Sequence, residues 1–84
     1  MTTIERASVL SGVPVWLLRS DCRLRGLCLV RFAVMAAMRR KGMTLPAIGH
    51  AMRRDHSTVL SGIRKADDYA ARYPRFMAFV EALA

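Results

Sequence analysis

The chain has 84 residues, of which 54% are hydrophobic, and sets 14 Lys or Arg against 6 Asp or Glu for a net charge of +8. That length suits one domain over residues 1–84 with a modest core, and that apolar content excludes a disordered chain. The basic excess calls for a polyanionic partner, with nucleic acid ahead of a membrane surface.

Apolar residues recur with a period near 3.6, and no segment alternates with period two for long enough to make a strand. An all-α bundle of about six helices is therefore predicted. The first helix runs from about Thr3 to Ser11, with a threonine before it, Glu5 in its first turn, and Gly12 able to close it in the left-handed conformation. A short second helix is expected from Pro14, carrying Val15 to Leu18, with Trp16 anchoring it on the bundle. RSDCRLRG then reads as a polar, basic loop.

A third helix, about Leu27 to Lys41, presents Val30, Val34, Met35 and Met38 on one side and is stopped by Gly42. Its terminal Arg39, Arg40 and Lys41 suit the negative pole of the helix dipole, and both a solvated end and a phosphate contact stand open for them. Thr44 caps a fourth helix, LPAIGHAM, with Leu45, Ile48 and Met52 as its buried stripe. The fifth helix starts at Asp55 and is expected to bury Val59, Leu60, Ile63 and Ala66. Arg64, Lys65, Asp67 and Asp68 then face solvent or a partner. A last helix from Pro74 has Phe76, Phe79, Val80 and Leu83 as its apolar face. The fourth and fifth helices are joined by so short a turn that they read as a helix-turn-helix.

Cys22 and Cys28 have no second pair and fit neither a zinc knuckle nor a redox motif. No metal and no cofactor are expected, and the cysteines read as reduced thiols of a cytoplasmic protein. No secretory leader pattern occurs, and no apolar run approaches the ~20 residues that cross a bilayer. Membrane-surface binding is disfavoured because the charges of the third helix cluster at one end. Asp55, His56 and Ser57 are catalytic residue types, but helical neighbours diverge by about 100° and cannot relay a proton, so no enzyme is expected.

The stretch RRDHSTVLSGIRK, Arg53 to Lys65, gathers an acid, a histidine and two hydroxyls on the opening turn of the fifth helix. Capping accounts for Asp55. The mixture also suits the edges of DNA bases. Asp55 can accept from a cytosine amino group, Thr58 can offer a methyl or a hydroxyl, and His56 donates or accepts according to its tautomer. For Asp55 the two roles can coexist, one carboxylate oxygen on the backbone and the other on a base. Arg53 and Arg54 on the turn read either as solvated charges or, beside a groove, as phosphate contacts.

TLPAIGHAMRRDHSTVLSGIRKA resembles the signature of the C-terminal DNA-binding domain of the bacterial replication initiator DnaA. The matching residues are Leu45, Pro46, Ile48 and Gly49, then Arg54 through Val59, and later Arg64 and Lys65. RFAVMAAM is similar to the arginine-led helix that precedes this signature in the family, and the flanking helices fall in the same order. The resemblance implies a TrpR-like bundle of the DnaA type that binds duplex DNA as one domain per short, non-palindromic box. Carried over, it implies base contacts from Asp55, His56, Ser57 and Thr58 in the major groove and a minor-groove arginine at Arg23 or Arg25. Arg31, the Leu45–Pro46 helix start and Lys65 would lie near phosphates, where helix N–H groups form an anion site.

The chain departs from the family in its basic loop, where CRLRGLCLVR is more apolar, lacks a proline and contains Gly26. Ala47 stands in place of a capping-box glutamate, and Phe32 in place of a glutamine. These residues contain no G-x-x-x-x-G-K-[ST], so ATP-driven melting of an origin is not expected of them. The expected function is that of a stand-alone, sequence-specific duplex-binding protein. It would act as a transcription regulator, or as a competitor at initiator boxes encoded by a phage or mobile element, associated with the nucleoid. Neutralising about six phosphates would give a slope of log K on log salt near −5. The alternative is an adaptor that uses the same fold to dock an acidic protein partner.

Overall fold

The chain forms six helices: α1 (Thr3–Ser11), α2 (Val15–Leu18), α3 (Arg25–Arg40), α4 (Leu45–Met52), α5 (His56–Arg72) and α6 (Pro74–Leu83), in a computed structural model that describes residues 1–84. The helix ends follow local chemistry. Thr2 and Glu5 close a capping box on α1, the Thr2 hydroxyl accepting from the Glu5 N–H at 3.2 Å and Glu5 accepting from the Thr2 N–H at 2.9 Å. Gly12 then ends α1 with a left-handed φ of 76°. At the end of α3, Gly42 is left-handed too, and the Met43 N–H returns to the Met38 carbonyl.

α3 is the central strut. Its Leu27, Ala33, Val34, Met35, Ala36, Ala37 and Met38 are buried, and α1, α4, α5 and α6 all pack on it. The apolar residues of all six helices meet in one cluster that includes Leu18, Val34, Ile48, Met52, Val59, Val80 and Leu83. The small residues let α5 approach α3 closely. A Cβ on Gly62 would run into the end of the Met35 side chain.

The helix-turn-helix is built the same way. Gly49 of α4 is buried, and a Cβ there would overlap the Arg54 carbonyl oxygen of the turn. The Arg54 N–H donates to the Gly49 carbonyl at 2.8 Å. Arg53, at the end of α4, takes the left-handed conformation with φ 56°, a position that glycine fills without strain.

Four expectations need correction. α3 begins at Arg25, two residues earlier than its apolar pattern suggests, so the basic loop is shorter. Pro14 precedes α2 as its N-cap instead of occupying its first turn. Trp16 is 70% exposed and anchors nothing. A four-residue helix offers the core barely one position, and Leu18 fills it. Leu60 is 37% exposed, because the buried stripe of α5 runs through Val59, Gly62 and Ala66, and Leu60 lies beside it.

Candidate nucleic-acid interface

The opening turn of α5 stands clear of the rest of the fold. Asp55 is the N-cap, in extended conformation, and its Oδ1 accepts from the Thr58 N–H at 2.8 Å. That bond holds the Asp55 carboxyl below the ordinary aspartate range, so it stays an ionised acceptor with Oδ2 left over. His56, Ser57 and Thr58 are all exposed.

Two surfaces leave this turn. His56 and Ser57 line a shallow hollow along α5 with Leu60, Ser61, Arg64 and Lys65. Ser61 and Arg64 join the site here, since 57, 61 and 64 share one helical face by spacing alone. Thr58 faces a groove of about 460 Å³ instead, together with Arg23, Arg54 and Lys65, and Asp21 is the single acid there. The Lys65 ammonium lies 5.4 Å from the centroid of the Phe32 ring. Phe32 thus acts as a cation–π shelf that steadies Lys65 at the border of both surfaces.

Arg31, expected beside a phosphate, is turned inward and is only 5% exposed. Its guanidinium donates to the carbonyls of Leu18 at 2.8 Å, Leu17 at 3.1 Å, Ser20 at 2.7 Å, and Cys22. Those carbonyls belong to the end of α2 and the loop after it, where no helix supplies their donors. Arg31 is a clamp on the basic loop. Arg54 is largely committed as well, donating to Ser20, to Arg19 at 3.4 Å and to Met52 at 3.3 Å. Its pKa is lowered by partial burial first and by the neighbouring Arg31 second.

The two minor-groove candidates are separated. Arg23 is exposed in the basic loop and lines the groove beside Thr58. Arg25 opens α3 and donates to the Tyr69 hydroxyl at 3.0 Å, lining a different surface with α6. The α4 start is sparser than an ordinary helix N-terminus. Pro46 has no N–H and the Ala47 N–H is bound by the Thr44 hydroxyl at 3.2 Å, which leaves Leu45 as the free donor of this turn. Arg53 is exposed and shares a third hollow with Arg19, His50 and Arg54. Arg19, which no sequence motif marks, donates from its Nε to the Ala51 carbonyl at 3.0 Å and ties the end of α2 to α4.

No helix is long and apolar enough to cross a membrane, and no three His, Cys, Asp or Glu side chains gather as a metal site. No curated protein matches the chain significantly. Residues 4–66, which run from α1 through most of α5 and include the basic loop and the whole helix-turn-helix, match the family described as the bacterial dnaA protein helix-turn-helix. The chain belongs to that family of duplex-DNA-binding domains.

Proposed function

We propose that the chain reads a short, non-palindromic duplex site as a monomer, with the opening turn of α5 in the major groove. Asp55 through its free oxygen, His56, Ser57 and Thr58 meet base edges, and Ser61 and Arg64 extend the contact along the same helix. Arg23 reaches the adjoining minor groove from the clamped loop. Arg53, Lys65 and the Leu45 N–H take backbone phosphates, while Pro46 packs against the sugar-phosphate chain. The supporting observation is that the four opening-turn side chains are uncovered and adjoin two basic surfaces, His56 and Ser57 beside Arg64 and Lys65, Thr58 beside Arg23, Arg54 and Lys65.

With Arg31 and Arg54 held internally, four cations are left at the DNA, Arg23, Arg53, Arg64 and Lys65, in place of about six, and the salt slope should be about −3.6. The biological reading is a regulator of transcription, or a competitor at boxes that an initiator of this family would otherwise occupy. The test is selection of bound sites from a random duplex library, followed by comparison of wild type and His56→Ala on the winning site and a scrambled duplex. An asymmetric motif and a loss of discrimination of about 1–3 kcal/mol are expected. Equal ratios for the two proteins would rule out base reading by this turn.

A further inference from the structure

A second surface lies away from the DNA-reading turn. It is a groove of about 440 Å³ walled by Leu29 and Val30 of α3, Tyr69 of α5, and Phe76 and Phe79 of α6, with Tyr73 at its lip. Tyr69 lies 13 residues along α5 from His56, about 20 Å at the helical rise. The residues that make most of it, from Tyr69 onward, fall beyond the span that the family match covers.

The groove is apolar in its walls and basic at its rim. Arg25 and Arg75 flank it, and no acidic residue lines it. The single ion pair of the molecule, Arg72 to Asp68, does not involve either arginine. An occupant that leaves both cations unneutralised would bury them at a cost, so the complementary ligand carries carboxylates beside its apolar anchors.

A second copy of this chain does not meet that requirement. At +8 it brings like charge to a rim that is already basic. A single nucleic-acid strand needs open ring faces for stacking. Here the rings are turned on one another, Tyr69 lying 5.7 Å from both Tyr73 and Phe76 with tilted planes.

We propose that this groove docks an acidic, amphipathic segment of a partner protein, its aromatic or aliphatic side chains entering between α3 and α6 and its carboxylates pairing with Arg25 and Arg75. DNA and partner are then held together, since this groove shares no lining residue with either surface of the opening turn of α5. The proposal goes beyond the DNA-binding reading, and its readout does not depend on it.

The test is selection of random 16-residue peptides displayed on phage against the immobilised full chain, with excess random-sequence duplex present to occupy other basic surfaces. Enriched sequences are then made as fluorescent synthetic probes. They should carry apolar residues at i, i+3 or i+4 spacing flanked by Asp or Glu. They should bind Arg75→Glu and Tyr73→Ser at least ten-fold more weakly than wild type, with Arg75→Lys retaining most of the affinity. Both positions are exposed, and unchanged melting temperatures would show that the variants fold. Absence of enrichment, or equal binding by wild type and both variants, overturns the proposal. So does displacement of the peptides by duplex. An oligothymidine strand bound through Arg75 would reassign the groove to single-stranded nucleic acid. A dimer in sedimentation velocity that Arg75→Glu abolishes would reassign it to self-association.

Discussion

The guanidinium groups of Arg31 and Arg54 converge on one acceptor, the carbonyl oxygen of Ser20. One arginine comes from the buried side of α3 and the other from the turn before α5. Their shared acceptor lies in the basic loop. The loop that carries Arg23 is thereby fixed to the helix that carries Thr58, although the two are more than 30 residues apart in sequence. The geometry of the candidate interface rests on backbone carbonyls held by two cations.

Arg31→Ala should destabilise the fold by at least about 3 kcal/mol, because several loop carbonyls lose a charged donor together. Arg31→Lys should recover only part of this, since an ammonium cannot reach four divergent acceptors as a planar fork does. Urea denaturation gives the loss of stability. A salt titration of the Lys variant separates this role from a phosphate contact: the slope should match wild type. A stable Arg31→Ala protein with a slope reduced by about 0.9 would place Arg31 on the DNA after all.

The two buried glycines should respond differently to alanine. At Gly49 the added methyl meets the Arg54 carbonyl, which is backbone at the helix-turn-helix corner and cannot yield without moving Asp55. Gly49→Ala should cost about 1–3 kcal/mol. At Gly62 the obstacle is the flexible end of Met35, and the substitution also gains up to ~1 kcal/mol of helix propensity. Gly62→Ala should fall within about 1 kcal/mol of wild type. Thermal melts of the two variants check the contrast.

The helix boundaries were legible because their signals are side chains: Thr2, Gly12, Thr44, Asp55 and Pro74 sit within a residue of where helices start or stop. The exposed, polar opening turn of α5 was legible for the same reason. What the sequence hid was anything decided by backbone acceptors or by small residues. A charged residue within an apolar helix reads as solvent-facing, yet Arg31 faces carbonyls of a loop whose geometry no side chain encodes. Hydrophobic periodicity points Leu60 inward because it gives no weight to Gly62, the residue that takes the inward position. Arg25 reads as loop in the sequence because α3 starts without a capping side chain at Leu24.

Arg53 combines an exposed charge with a left-handed backbone, which costs a non-glycine residue about 1–2 kcal/mol. Arg53→Gly should therefore keep or raise stability by up to ~1 kcal/mol, the relief being offset in part by a more flexible unfolded chain. Arg53→Ala loses the same charge but keeps the strain, so it should be the less stable of the two. Both should flatten the salt slope by about 0.9 if Arg53 holds a phosphate. Urea denaturation together with salt titration of the pair separates the conformational effect from the electrostatic one. A slope identical to wild type in both variants would leave Arg53 as a solvated charge.

Asp55 links the fold to the interface through pH. Its carboxyl is held below the ordinary range by the Thr58 N–H, and Glu5 is lowered in the same way by Thr2. A group with a depressed folded pKa contributes stability above its unfolded pKa, near 3.9 for aspartate, and that contribution is lost as pH falls through the folded value. Asp55→Ala should thus melt below wild type at pH 7, and the gap should close as pH is lowered from about 4 towards 2. Asp55→Asn keeps an oxygen that can accept from Thr58, so its melting temperature should stay near wild type at pH 7 and change less with acid. On DNA the same variant should alter base preference, because the amide presents a donor where the free carboxylate oxygen only accepts. Melting curves of the three proteins from pH 2 to 7, with site selection repeated on Asp55→Asn, read both roles. A gap between Asp55→Ala and wild type that persists undiminished at pH 2 would show that the ionised cap is not its origin.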